Sequence, residues 1–129
     1  IAEQMHLGGR VSVFEVDLTE LFALSPQLVA AQEISVMPVA TQDLSLVVPV
    51  EVSAGELLGL LREAAGELLE SITLVDDYRG TGIEAGKKSL TYSMLFRAKD
   101  RTLTQAEATE AKEAAVKVAA DKFGAELRA

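Results

Sequence analysis

The sequence contains no cysteine and no tryptophan, one histidine, three prolines, four phenylalanines and two tyrosines. Without cysteine there is no disulfide framework, no thiolate nucleophile and no Cys-built zinc or iron–sulfur site. The lone His6 excludes any constellation that needs two imidazoles. No apolar run approaches the roughly 18 residues of a membrane span. The opening Ile1-Ala2-Glu3 has neither the basic nor the apolar region of a signal peptide, and it has no initiator methionine. The chain is therefore expected to be a piece of a longer polypeptide, and the absence of cysteine is compatible with a reducing, cytoplasmic setting.

What is present is the material of a globular domain. The 129 residues are 49% hydrophobic and 25% charged, inside the range of folded proteins and outside that of disordered ones. A chain of this length buries roughly two-thirds of the surface its unfolded form exposes, enough for a core.

The net charge of −8 is unevenly spread. Residues 1–78 hold only Arg10 and Arg62 against thirteen carboxylates, whereas residues 79–101 hold Arg79, Lys87, Lys88, Arg97, Lys99 and Arg101 against Glu84 and Asp100. Half of the basic side chains thus fall on one short stretch of an acidic protein. Two readings stand at this level. One is a solvated charged face. The other is an anion-binding stripe, with the acidic body discouraging non-specific phosphate contacts.

The β-rich run Val11 to Val16 reads as a strand, and Asp17 is placed to cap a short helix over Leu18 to Leu24, which stops before Ser25-Pro26. Residues 25–42, with Pro26 and Pro38 and little periodicity, read as a connector. From Asp43 the signals become regular. Leu44, Leu46 and Val48 alternate onto one strand face up to Pro49. Ser53-Ala54-Gly55-Glu56 is a capping-box pattern, followed at helical spacing by Leu57, Leu58, Leu61, Ala64, Ala65, Leu68 and Leu69. A strand over Ile72 to Val75 runs toward Tyr78, Gly80, Gly82 and Gly86 mark a hairpin loop, and a strand over Ser89 to Arg97 follows. Its one row holds Leu90, Tyr92, Met94 and Phe96. Thr104-Gln105-Ala106-Glu107 is a second capping box, before a helix carrying Ala108, Ala111, Ala115, Val116, Ala119 and Phe123 that Gly124 stops. Ala125 to Arg128 is at most a short last strand. This order, β-α-β-β-α-β, predicts an α+β, ferredoxin-like domain: a four-stranded antiparallel sheet with two helices on one face and the other face open.

Enzymatic motifs fail on inspection. A phosphate-loop pattern anchored on Gly86-Lys87 has Thr81 where it needs glycine and Lys88 where it needs a hydroxyl, and it leads into a strand rather than a helix. Asp76 and Asp77 are neighbours on a strand, so they point to opposite faces and share neither a proton nor a metal. No serine has a histidine and an acid to complete a triad. We therefore expect no catalytic and no metal-binding residue in this piece. The mixture along the hairpin is of another kind. Tyr78, Arg79, Lys87, Lys88, Ser89, Tyr92, Arg97, Lys99 and Arg101 combine cations, hydroxyls and phenol rings, the side chains that hold single-stranded RNA by its phosphates and stack on its bases. Tyr92 has two readings, a stacking ring or a core residue, because it shares the apolar row. Arg97 falls on the opposite row.

Over about residues 36–129 the sequence resembles the C-terminal ferredoxin-fold anticodon-binding domain of the bacterial phenylalanyl-tRNA synthetase beta subunit. The likeness rests on Pro38 with Asp43-Leu44, Leu74 to Gly80, Gly86-Lys87-Lys88-Ser89-Leu90 with Tyr92, Phe96-Arg97, Asp100 to Thr104, and Gly124 to Arg128. Residues 11–35, with Val13 to Asp17, resemble the tail of the catalytic-like module that precedes this domain in the family, so residues 1–35 are expected to be that tail and a connector. The resemblance implies a module that holds the anticodon stem-loop of the tRNA for phenylalanine. It also implies a cytoplasmic α2β2 enzyme, in which the alpha subunit uses ATP and magnesium to aminoacylate that tRNA. The family's Tyr-Arg-Gly falls on Tyr78, Arg79 and Gly80, and its Lys-Lys-Ser on Lys87, Lys88 and Ser89. Thr41, Gln42 and Ser93 stand where members commonly carry arginine. The competing reading is a ferredoxin-like regulatory or assembly module without RNA binding, for which an enclosed apolar pocket or a large exposed apolar patch would be the mark.

Overall fold

The computed structural model describes residues 4–6, 8–9, 11–25 and 35–128, which fall into two compact units, Ile1–Ile34 and Ser35–Ala129. In the first unit α1 spans Leu18–Leu24, and the Asp17 carboxylate accepts from the backbone N–H of Thr19 at 2.8 Å and of Glu20 at 3.3 Å. This is the expected cap, satisfying donors that the first turn leaves unpaired. The strand expected over Val11 to Val16 does not form: these residues carry no regular structure. An isolated extended segment has no ladder partner for its N–H and C=O groups, and none is supplied among the described residues. Of the connector, residues 26–34 lie outside the described residues, and residues 40–42 already belong to a strand.

The second unit has the predicted order. β1 spans Ala40–Pro49, α2 Ala54–Ala65, β2 Leu69–Tyr78, β3 Lys87–Phe96, α3 Gln105–Phe123 and β4 Glu126–Leu127. The sheet order is β2-β3-β1-β4 and every pairing is antiparallel. This is the α+β, ferredoxin-like arrangement. One row of each central strand carries the core: Leu44, Leu46 and Val48 of β1 and Leu90, Tyr92, Met94 and Phe96 of β3 are at most 1% exposed. Leu57, Leu61 and Ala65 of α2 and Ala108, Ala115 and Ala119 of α3 close over that row. The small α3 side chains let helix and sheet approach closely. Burying each leucine contributes about 1.5–3 kcal/mol against leaving it in water.

Two helix boundaries differ from expectation. Ser53 occupies the N-cap position of α2, but its side chain accepts no capping bond. Glu56 lines a groove between α2 and α3 with Lys122 and Phe123 instead of turning back. Entry into the helix is fixed by backbone contacts, Val52 N–H to Pro49 O at 3.1 Å and Leu57 N–H to Ser53 O at 3.0 Å. At the other end α2 stops at Ala65, not Leu69, because Gly66 turns to φ 73°, a conformation that glycine reaches without the Cβ penalty. Leu68 and Leu69 then lead into β2. The second capping box forms as predicted. Thr104 Oγ1 accepts from Glu107 N–H and Glu107 Oε2 accepts from Thr104 N–H, while Gly124 in the left-handed region ends α3.

Candidate nucleic-acid interface

Residues directly opposite on neighbouring strands point to the same face, so the register defines what the helix-free face displays. Val47, Ser89 and Tyr78 form one rung, Ser45, Thr91 and Asp76 the next, and Asp43, Ser93 and Thr73 a third. This face is rich in hydroxyls; Ser45 Oγ and Thr91 Oγ1 are bonded at 2.9 Å. Tyr78 reaches it through an irregularity. Strict alternation from Ile72 and Leu74 would put Tyr78 on the helix side. The pairing instead slips between Leu74 and Asp76, a bulge at Val75 that re-aims every later residue of β2. Asp77 is thereby sent to the helix-side row, opposite Leu90.

The turn then positions the Tyr78 ring. Its hydroxyl donates to the Thr81 carbonyl at 3.1 Å. A Cβ on Gly80 would meet the Tyr78 hydroxyl at 2.7 Å and its Cζ at 2.8 Å, so the Tyr-Arg-Gly sequence works as a unit: glycine leaves the space the phenol fills. Tyr78 is 36% exposed. Across the ladder from it, Ser89 is buried and its Oγ has no hydrogen-bond partner. Just beyond β4, the guanidinium carbon of Arg128 lies 5.3 Å from the Tyr78 ring centroid, while the Arg128 N–H holds the Ser45 carbonyl at 2.9 Å.

The basic stretch does not gather on this face. Lys87 and Arg97 stand ten residues apart on one extended run, about 33 Å from each other. Near the hairpin, Arg79 makes a two-pronged contact with Asp77, both bonds at 2.9 Å; that contact holds the Asp77 carboxyl below its ordinary range and raises the guanidinium. Lys87 lies 2.9 Å from Glu126 and 3.1 Å from Glu84, which raise its pKa in that order. Lys88 falls on the helix-side row opposite Val48 and is 4% exposed. At the far end, Arg97 Nε sits 2.6 Å from Glu70 Oε2, an ionic contact too misdirected to be a hydrogen bond, and its Nη1 donates to the Ser35 carbonyl at 3.1 Å. Arg101 grips Glu107 with both arms, at 2.5 and 2.9 Å. That grip, followed by the bonds from Thr104, drives the Glu107 carboxyl down to about 2. Lys99 is exposed and makes no ion pair among the described residues.

The basic stretch that the sequence offers as an anion-binding stripe is therefore not gathered on one surface. Local charge counting sees neighbours in sequence, whereas Glu126 and Glu70 arrive through the fold. Tyr92 is also settled in place: it is fully buried, its hydroxyl donates to the Ala54 carbonyl at 3.0 Å, and desolvation raises its pKa to about 12. As placed, it is a core ring rather than a stacking one. Gln42 points to the helix side, accepting from Lys112 Nζ at 2.8 Å, and Thr41 is exposed. Arg128 enters the sequence reading only as the end of the last short strand and of the Gly124 to Arg128 likeness, not as a site residue.

The family model described as the ferredoxin-fold anticodon binding domain matches residues 35–128. Over 99% of its length the chain is 55% identical to a phenylalanine–tRNA ligase beta subunit from Leifsonia xyli and 48% identical to one from Streptomyces avermitilis. It is 43% identical over its whole length to one from Corynebacterium diphtheriae. In each case it spans 15% of the relative's length. The chain belongs to the ferredoxin-fold anticodon-binding family.

Proposed function

We propose that this chain binds the anticodon stem-loop of the tRNA for phenylalanine, as part of the beta subunit of a phenylalanine–tRNA ligase. One observation carries the reading beyond family membership. A half-exposed phenol, fixed by the turn, stands on the helix-free face directly across from a buried serine hydroxyl that has no partner. A splayed base needs those two things, a ring to stack on and a polar group to meet its edge. A buried hydroxyl left unpaired is otherwise a cost to the fold.

The cations take a subsidiary role. Arg79 and Lys87 are held by exposed carboxylates, and exposed pairs of this kind contribute little because water and salt screen them. A phosphate exchanges for Asp77 on Arg79, or for Glu84 and Glu126 on Lys87, at small cost. Arg79 and Lys87 flank the Tyr78 turn and are the primary phosphate contacts in this reading. Arg97, Lys99 and Arg101 serve RNA extending toward the far end of the sheet, whereas Lys88, buried on the helix-side row, makes no RNA contact in this reading.

The relatives' names, each a beta subunit of a phenylalanine–tRNA ligase, support extending the proposal to the rest of the enzyme. In this reading an alpha subunit is the partner, the assembly is α2β2 in the cytoplasm, and the fragment supports rather than performs ligation. ATP and magnesium belong to the alpha subunit in this reading; among the described residues no cluster of three or more carboxylates or imidazoles fits a metal ion. No described helix is long and apolar enough to cross a membrane. Residues 1–35 are the tail of the module that precedes the anticodon-binding domain. Val13 and Phe14 are 91% exposed and Leu24 84%, and large apolar side chains left uncovered like this mark a surface that another part of the subunit covers.

The regulatory-module reading finds less support. The groove of about 260 Å3 between α2 and α3 is lined by Glu56, Glu63 and Lys122 as well as Leu60 and Phe123, which is small and polar for a ligand pocket. The direct test is a titration of labelled anticodon stem-loop against the 129-residue chain at two salt concentrations. Saturable binding that weakens with salt and is lost in Tyr78→Ala supports the proposal; the absence of binding at low salt overturns it.

A further inference from the structure

Lys88 is a buried cation without a counter-ion. It is 4% exposed, and among the described residues it makes no ion pair. We propose that Lys88 is a positioning residue, the reserve partner of Asp77: when a phosphate takes Arg79, the Asp77 carboxylate passes to the Lys88 ammonium. This rests on the RNA-binding reading above.

Three observations converge on it. The register puts Asp77 opposite Leu90 and Lys88 opposite Val48, all on the helix-side row. Lys88 stands two residues before Leu90 on β3, so it is the diagonal neighbour of Asp77, and such neighbours lie about 7–8 Å apart, within reach of a long side chain. Arg79 and Lys88 also flank the last rung of the β2–β3 ladder, Tyr78 with Ser89, so one carboxylate serves two cations. Arg79 holds it now, with both bonds at 2.9 Å. Those bonds first, and the charge of Lys88 after them, hold the Asp77 carboxyl below its ordinary range. Finally, the two cations differ in access. The Arg79 side chain is 55% exposed and open to a phosphate from solution, whereas Lys88 is covered.

The energetics give the arrangement its sense. A charge kept from water is costly unless it is paired. In the RNA-free chain Lys88 bears that cost, and binding relieves it. A phosphate that displaces Asp77 from Arg79 would otherwise leave a carboxylate without a partner. With Lys88 on the diagonal, a turn of the short Asp77 side chain exchanges one partner for the other, and a single ion pair becomes two. Lys88 thus loosens the hold of Asp77 on Arg79 without touching RNA itself. A methionine of similar length would fill the same space and leave Asp77 wholly to Arg79.

The experiment is a double-mutant cycle on wild type, Lys88→Met, Asp77→Asn and the double variant, read by binding of the anticodon stem-loop, with melting temperatures reporting the fold. Lys88→Met is expected to weaken binding about threefold, and that loss to vanish when residue 77 is already asparagine. A loss of the same size in both backgrounds overturns the exchange, as does wild-type affinity in Lys88→Met. Nuclear magnetic resonance follows the Asp77 carboxyl through a pH titration of wild type, free and with the stem-loop bound. It is expected to stay below the ordinary carboxylate range in both states, because Lys88 replaces Arg79 as its neighbour. A return to the ordinary value in the complex overturns the proposal. If wild type does not bind, the RNA reading fails, and the same titration of RNA-free Arg79→Ala decides the Asp77–Lys88 partnership separately. A carboxyl still depressed there supports the partnership, and an ordinary one overturns it.

Discussion

The Tyr78 ring occupies the space in which a side chain on Gly80 would have to stand, with the phenol oxygen 2.7 Å and Cζ 2.8 Å from the missing Cβ. Gly80 has no left-handed φ to defend, so its role is room rather than backbone freedom. Gly80→Ala is expected to leave the fold intact, displace the ring and break its bond to Thr81 O. Stem-loop affinity should fall about as far as in Tyr78→Ala, with the melting temperature little changed. A variant that binds normally would show that the ring's position does not matter.

Asp77 competes with RNA for Arg79. Replacing it by asparagine removes the charge that holds the guanidinium and leaves the shape. Asp77→Asn is expected to tighten stem-loop binding about two- to threefold and to steepen its dependence on salt. Unchanged affinity and slope would remove Arg79 from the phosphate contacts.

Glu107 gives the domain an acid-sensitive joint. Its carboxyl is held at about 2 in the fold against an ordinary 4.5, first by Arg101 and then by Thr104. A depressed carboxyl contributes stability that is full above the unfolded value and lost as pH falls through the folded one. Stability should therefore decline between about pH 4.5 and pH 2. Glu107→Gln should flatten that decline in acid denaturation, and Arg101→Ala should shrink it, because it returns the folded value toward 4.5.

Tyr92 supplies the contrast with Tyr78. Tyr92→Phe keeps the buried ring and removes the bond to the Ala54 carbonyl, at a cost of about 1 kcal/mol measurable by urea unfolding. Stem-loop affinity is expected to stay at the wild-type value. A large loss of binding at unchanged stability would return Tyr92 to the interface.

Most of the fold is legible in the sequence because its signals are local. The alternation of Leu44, Leu46 and Val48, the Thr104–Glu107 box and Gly124 each specify their element within a few residues. The exceptions are instructive. Ser53 to Glu56 has the letters of a capping box without its bonds. Val11 to Val16 has strand composition without a strand beside it. At the candidate site, Tyr78, Gly80 and Ser89 could be named from the sequence. Which face they share depends on the bulge at Val75, which simple alternation does not reveal. The charges were the least legible part. Lys87 meets Glu126, 39 residues away, and Arg97 meets Glu70, so residues that count as a basic stretch along the chain are separated in space, some beside carboxylates the fold brings to them.

β4 joins the sheet through two residues only. A tether so short frays before the core loosens, and it carries Glu126, the partner of Lys87. Mild heating should therefore release Lys87 from that partner well below the temperature at which the domain melts, a change that cooling reverses.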